Sequence, residues 1–218
     1  IAKVAEKQNM KLYDCYTGFK WIATVMRENE GKARYLGGGE ESYGFLPEEF
    51  CRDKDAVSSI SLMAEIAAWA KEKGMTMNDM LIDIYTTYGY SKERGISVVR
   101  TGKSGAEEIV AMMKNFRENP QKEIAGSPVV KIKDYQLLEE KNVTTGEITK
   151  LDMPCTSNVL QYYTADGTKV SIRPSGTEPK IKFYIEVHDT LDSAANYDAK
   201  NDWADAKIDV ICKDLGIA

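Results

Sequence analysis

Hydrophobic positions along this 218-residue chain follow two different rhythms. Ile1, Val4 and Ala5 fall at helical spacing from the first residue, which predicts the end of an amphipathic helix over residues 1–8. Residues 11–17 alternate and predict a strand. Gly18 follows, then a second helix across Trp21, Ile22, Val25 and Met26. Residues 33–36 predict a short strand that runs into Gly37-Gly38-Gly39. A long helix then places Ile60, Met63, Ile66, Ala67 and Ala70 on one stripe, and Lys73-Gly74 ends it with a late cation and a glycine. A further helix carries Met80, Leu81, Ile84 and Tyr88 and stops at Gly89, with the methionines from Met75 to Met80 expected to pack the helix pair. Strands and helices alternating in this way predict an α/β layer.

After about residue 95 the rhythm changes. Residues 96–100 predict a strand. Ser104-Gly105-Ala106-Glu107 has the spacing of a capping box, in which Ser and Glu satisfy orphan N–H groups at a helix start. The helix it opens carries Ile109, Met112, Met113 and Phe116. Residues 129–135 alternate as a strand; residues 137–153 are polar, with a turn at Thr145-Gly146. Residues 159–163 and 170–172 flank Ala165-Asp166-Gly167, a hairpin signal because glycine takes φ > 0 at little cost. In residues 180–187, Ile181, Phe183, Ile185 and Val187 point one way, and Lys180, Lys182, Tyr184 and Glu186 the other. A last helix sets Ala204, Ile208, Ile211 and Leu215 on one face. The second half therefore predicts an antiparallel sheet with two helices, an α+β layer. The junction near residues 90–97 is expected to flex.

Composition narrows the function. Hydrophobic residues make up 43% and charged residues 29%, an ordinary globular mix. A net charge of −5 argues against a nucleic-acid partner, which needs a basic face. No apolar run approaches the roughly 20 residues that cross a bilayer, so no membrane is expected. Cys15, Cys51, Cys155 and Cys212 lie far apart with no C-x-x-C pair. That pattern predicts buried thiols, no metal site and a reducing, cytoplasmic location. His188 is the only histidine, which excludes mechanisms that need two; it reads as a surface or satisfied side chain. The chain starts at Ile1, inside an element, and is expected to be a piece of a longer protein.

Two segments carry chemistry. In Arg173-Pro174-Ser175-Gly176-Thr177-Glu178-Pro179-Lys180, the guanidinium offers a planar fork suited to phosphate. Ser175 and Thr177 add hydroxyl donors, Gly176 lets its N–H join an anion-binding nest, and the two prolines stiffen the ends. Lys180 is either a further cation or a solvated strand-face lysine. An ordinary turn with a solvated arginine has the same composition. In Gly37-Gly38-Gly39-Glu40-Glu41-Ser42-Tyr43-Gly44-Phe45, two acids and a serine on a glycine-rich loop can accept from, and donate to, the hydroxyls of a polyol. Solvated acids on a flexible turn are the plainer alternative.

Taken together, these segments resemble one family. Arg173-Pro174-Ser175-Gly176-Thr177-Glu178-Pro179-Lys180 resembles the phosphate-binding loop in the C-terminal domain of the α-D-phosphohexomutases, the phosphoglucomutase/phosphomannomutase family. Gly39-Glu40-Glu41-Ser42 is similar to the sugar-binding loop G-E-x-S of that family's third domain. Thr17-Gly18-Phe19-Lys20-Trp21-Ile22 resembles another third-domain motif, whose basic residue reaches the active site, and its wording is closest to the phosphoglucomutases that shade into phosphopentomutases. Asp53-Lys54-Asp55 resembles the family's D-K-D-G, with Ala56 in place of the glycine. The four motifs stand in family order over nearly the whole chain. The family's phosphoserine loop (T-A-S-H-N-P) and Mg²⁺ loop (D-G-D-x-D-R) do not occur.

The resemblance implies a fold and a function. Residues 1–95 would be most of domain 3, a truncated mixed α/β sheet domain with the sugar-binding loop. Residues 96–218 would be domain 4, an antiparallel-sheet, two-layer α+β domain of TATA-box-binding-protein-like form with the phosphate loop. The implied activity is that of a phosphoglucomutase, interconverting glucose 1-phosphate and glucose 6-phosphate through a phosphoserine and a bisphosphate. This piece would supply sugar and phosphate binding and be inactive alone. A phosphomannomutase or phosphopentomutase is the alternative within the family, and a non-catalytic sugar-phosphate-binding module the alternative outside it. Arg173, Ser175, Gly176 and Thr177 would hold the distal phosphate, Glu40 and Ser42 the sugar hydroxyls, and Lys20 would stabilise charge near the transferred phosphoryl. Mg²⁺ and glucose 1,6-bisphosphate are the implied cofactors, with the metal ligands outside this chain. The implied partners are a hexose phosphate and the missing N-terminal domains.

Overall fold

The computed structural model describes every residue except Ser42, Thr177 and Ala218, and the side chain of Lys103. The chain divides into two units, Ile1–Ile84 and Tyr85–Ala218.

The first unit contains α1 (Ala2–Lys7), α2 (Phe19–Glu28), β1 (Gly38–Gly39), β2 (Phe45–Leu46), α3 (Ala56–Glu72) and most of α4 (Met77–Tyr88). Its core is Phe19 and Met26 of α2 with Leu46 of β2, flanked by Ile22, Tyr35 and Cys51. β1 and β2 pair antiparallel, Gly38 with Leu46 and Gly39 with Phe45. An added Cβ on Gly38 would lie 2.6 Å from Tyr35 Oη and 3.1 Å from Ile22 Cγ2, so a larger residue there would have to push the Tyr35 side chain aside. Asp55 starts α3 by accepting the Ser58 N–H at 2.8 Å, the N-cap contact that relieves an orphan donor. Lys73 and Gly74, at φ 71°, end it as expected.

Two expected strands differ. Residues 11–16 and 34–37 have no regular structure, because alternation makes a strand only when a neighbour completes its ladder. The stripe on α3 also differs: Ala70 is buried and Ile66 half-buried, whereas Ile60 and Met63 are exposed. Met77, Leu81 and Ile84 of α4 are exposed too, whereas Met75 and Met80 are half-buried.

The second unit is an eight-stranded sheet with two long helices. Its strands are β3 (Tyr90–Val99), β4 (Glu123–Ile124), β5 (Ser127–Asp134), β6 (Glu139–Asn142), β7 (Ile148–Lys150), β8 (Leu160–Thr164), β9 (Lys169–Pro174) and β10 (Lys180–Asp189). The spatial order is β3-β10-β9-β8-β5-β6-β7, with β4 paired to β5 and every pairing antiparallel. Ile181, Phe183, Ile185 and Val187 of β10 are all fully buried. They pack with Val170 and Ile172 of β9 and the apolar sides of α5 (Gly102–Glu118) and α6 (Tyr197–Asp214), including Met113, Phe116, Ala204, Ile208 and Ile211. The opposite face keeps Lys180, Lys182, Tyr184, Glu186 and His188 half-exposed, the alternation its sequence predicts.

Three expectations need correcting here. Residues 90–97 are no loose junction; they pair residue for residue with β10 in the longest ladder of the sheet, Tyr90 with Asp189 through Val99 with Lys180. The division between the units falls inside α4 instead. Helix α5 begins before the expected capping box: Thr101 is its N-cap and makes no side-chain cap bond. The polar stretch 137–153 forms a hairpin of β6 and β7 with the expected Thr145-Gly146 turn between them, whereas the expected burial of all four thiols does not hold. Of the thiols, Cys212 is buried, Cys15 and Cys51 are half-buried and Cys155 is exposed. Among the described residues no helix is long and apolar enough to cross a membrane.

Candidate functional site

The loop between β9 and β10 is held by its own backbone. The Ser175 N–H donates to the Lys180 carbonyl at 2.8 Å, and the Lys180 N–H to the Glu178 carbonyl at 2.7 Å. The Glu178 N–H reaches Ser175 Oγ at 3.3 Å, and the Arg100 N–H ties Pro179 down at 2.9 Å. Arg173 leaves the end of β9 opposite Lys182 of β10 and lies against Tyr184, with Nη2 donating to its hydroxyl at 3.4 Å. A cavity of about 340 Å³ opens at this end of the sheet, lined by Arg173, Ser175, Gly176, Lys180 and Lys182 on the loop side. Ser157 and Asn158 line it from the turn before β8.

Three cations and one carboxylate face this cavity. The carboxylate, Glu178, is paired with Lys180, whose hydrogen bond holds its carboxyl below the usual range. The balance favours an anion. Gly176 has open space where a Cβ would stand, so no neighbouring protein atom demands glycine there. Thr177 lies outside the described residues.

In the first unit the residues of the acidic glycine-rich loop lie near α2 and the segment before it. The Glu40 N–H donates to the Gly44 carbonyl at 2.9 Å. A Cβ on Gly44 would meet Glu40 Oε1 at 2.8 Å and Lys54 Cδ at 3.0 Å, so both side chains pass this glycine. Lys54 Nζ also sits 5.7 Å from the Phe19 ring centre. The Thr17 hydroxyl donates to Glu41 at 3.1 Å, which makes Glu41 an anchored acid and not merely a solvated one. Lys20 Nζ stands 5.0 Å from the Trp21 ring centre. Burial, then the charges of Asp14 and Glu40, push the Cys15 thiol up. Burial, and the neighbouring Cys51, push Tyr35 up to about 12, and its hydroxyl donates to the Leu46 carbonyl at 3.1 Å. Ser42 lies outside the described residues.

The expected residues therefore fall in two groups: Lys20 and Glu40 in the first unit, and Arg173, Ser175 and Gly176 around one cavity in the second. Lys182, Ser157 and Asn158 were not expected there. Lys182 could have been found from its register, since it faces Arg173 across the ladder. Ser157 and Asn158 belong to no motif and gave no signal. His188 is engaged as expected, with Nδ1 2.8 Å from Ser91 Oγ.

Residues 1–88 match the model of phosphoglucomutase/phosphomannomutase alpha/beta/alpha domain III, and residues 113–202 match that of the phosphoglucomutase/phosphomannomutase C-terminal domain. The chain belongs to this family. It is 38% identical over 184 residues to a phosphoglucomutase of Staphylococcus aureus (strain MRSA252), covering 84% of this chain and 33% of that protein. It is 34% identical over 187 residues to the phosphoglucomutase of Staphylococcus saprophyticus, covering 85% of this chain and 34% of that protein. The chain thus spans about a third of the length of the curated relatives it matches. The open-form crystal structure of pp63/parafusin, a phosphoglucomutase from Paramecium, has the same fold, with a TM-score of 0.60 at 19% identity over 100% of this chain and 36% of that one.

Proposed function

We propose that this chain supplies the sugar-reading and phosphate-holding parts of a phosphoglucomutase, which interconverts glucose 1-phosphate and glucose 6-phosphate through a phosphoserine and a bisphosphate. The observation that carries this reading is the cavity of Arg173, Ser175, Gly176, Lys180 and Lys182 at the end of β9 and β10. Phosphoryl transfer asks a protein mainly for positioning and charge stabilisation. Arg173 grips the non-reacting phosphate through its fork, while Lys182 adds charge. Ser175, Gly176 and Thr177 complete the cradle. Glu40 and Ser42 take the sugar hydroxyls, and Lys20 neutralises charge near the transferred phosphoryl group. Turning the bisphosphate around requires a phosphate cradle that is indifferent to which carbon carries the ester, and a guanidinium meets that need.

Mg²⁺ does not fit the residues in hand: among the described residues no three His, Cys, Asp or Glu side chains come together to hold a metal ion. Its ligands, like the phosphoserine, belong in this reading to other domains, and no step here runs through it. Unpaired Cys15, Cys51 and Cys212 support a reducing, cytoplasmic setting.

Calorimetric titration with glucose 6-phosphate tests the reading. Binding should be competed by inorganic phosphate and weakened roughly tenfold or more by Arg173→Ala, the scale of one lost charged hydrogen bond. A titration of Arg173→Ala that matches wild type overturns the phosphate assignment. Steady-state kinetics of an intact homologue on glucose, mannose and ribose phosphates assign the sugar.

A further inference from the structure

We propose that Asn158 is an additional binding residue of this cavity, donating its side-chain amide to a phosphate oxygen of the bound ester; this rests on reading the cavity as the phosphate site. Asn158 comes from the turn before β8, a stretch with no motif, yet it lines the same cavity as Arg173 and Ser175.

An exposed asparagine on a turn ordinarily samples several rotamers. This one is fixed from two directions. The backbone around it is fastened to the end of β5: the Ser157 N–H donates to the Tyr135 carbonyl at 3.0 Å, and the Tyr135 N–H to the Val159 carbonyl at 3.0 Å. Its side chain is fastened as well, because Oδ1 accepts from Arg117 Nη2 at 2.7 Å. Arg117 cannot swing, since its Nε donates to Asp134 Oδ2 at 2.9 Å. That pair is the most enclosed ion pair among the described residues, with side chains 18% and 11% exposed. Asp134 is anchored in turn by the Gln136 N–H at 2.9 Å.

The chemistry follows from the amide's polarity. With its oxygen occupied by a guanidinium, Asn158 has N–H donors to offer. Donors in a cavity that already holds Arg173 and Lys182 suit a ligand whose oxygens only accept, such as a phosphate dianion. The Arg117–Asp134 pair thus acts as a positioning brace: it touches no ligand but decides which end of the amide faces the cavity. Pre-set orientation lowers the ordering cost on binding.

Titrations of Asn158→Ala, Asn158→Asp and Arg173→Ala with inorganic phosphate and with glucose 6-phosphate test this. Asn158→Ala should weaken both ligands about tenfold. Asn158→Asp should weaken them further, because it keeps the bond to Arg117 but sets a carboxylate against the dianion, while the melting temperature holds or rises. Wild-type affinity in Asn158→Ala overturns the proposal, and so does a loss confined to glucose 6-phosphate, which would assign the amide to a hydroxyl. If Arg173→Ala also binds normally, the phosphate reading of the cavity falls first; if only Asn158→Ala does, that reading stands without this residue. The brace is tested with Arg117→Lys, which keeps a charge for Asp134 but loses the fork. It should lower phosphate affinity in the wild-type background and not in Asn158→Ala. Equal effects in the two backgrounds, including none, overturn the brace.

Discussion

The Thr17 hydroxyl lies within hydrogen-bond reach of both carboxylate oxygens of Glu41, at 3.1 and 3.3 Å. It thereby joins the segment ahead of α2 to the acidic loop 24 residues later. Glu41 occupies the position the sugar-loop motif leaves open, and its contact explains why an acid is useful there. In the proposed function this tether would present its neighbour Glu40 to the sugar. Thr17→Val should raise the KM of the intact enzyme for glucose 1-phosphate a few-fold with kcat unchanged. Stability should fall by no more than about 1 kcal/mol, the scale of one hydrogen bond at a half-buried site. An unchanged KM would sink the tethering role.

Tyr162 tests the packing of the second unit. It is fully buried in β8, and its hydroxyl donates to the Phe116 carbonyl near the end of α5 at 2.6 Å. Burial pushes its phenol far up. Tyr162→Phe keeps the ring but strands a buried acceptor, at a cost of about 1–3 kcal/mol. Urea unfolding checks this, and an unchanged midpoint would show that water reaches the carbonyl.

Acid stability should depend on Asp166 at the tip of the β8–β9 hairpin. Burial pushes its carboxyl up, but hydrogen bonds from Lys207, Thr164 and Thr168 outweigh it and leave it well below the usual range. Lys207 approaches to 2.7 Å and the Thr164 hydroxyl to 2.6 Å. A lowered folded-state pKa adds stability that is complete above the unfolded value near 4, and it vanishes as pH falls through the folded value. Asp189, held down by Lys200, acts in the same direction. Stability should therefore decline from about pH 5 downward, and Asp166→Asn should be weaker at pH 7 with a flatter decline. Parallel curves for the two proteins would remove Asp166 from the account.

The chain by itself should show no Mg²⁺-dependent conversion of glucose 1-phosphate, because neither the serine loop nor the acidic metal loop of the family occurs in its sequence. A coupled assay on the purified chain checks this, and turnover above background would refute it.

How far the sequence could be read depended on whether local pattern and tertiary neighbours agreed. β10 was legible because its apolar side chains alternate perfectly against two amphipathic helices, and the β8–β9 hairpin because Gly167 takes φ 84° at its turn. α6 was legible from four apolar residues that all prove buried. Residues 11–17 misled because alternation says nothing about a partner. Ile60 and Met63 misled because a stripe does not reveal what faces it. β6 and β7 escaped notice because both of their faces are polar, as Glu139, Glu140, Lys141 and Asn142 illustrate. At the candidate site, the phosphate loop was readable as a contiguous motif. Asn158 was not, since its place depends on Arg117 and Asp134, 41 and 24 residues earlier in the chain.

The ladder between β3 and β10 has a consequence for how the protein is made. The first strand of the second unit finds its neighbour only in the last one, about ninety residues downstream. On the ribosome, residues 90–99 must wait with an open hydrogen-bonding edge until residues 180–189 have left the exit tunnel. Such distant pairing slows folding, and a waiting edge invites wrong partners. Arrested synthesis anywhere before residue 180 should therefore leave a sticky, protease-sensitive nascent chain in place of a half-built domain.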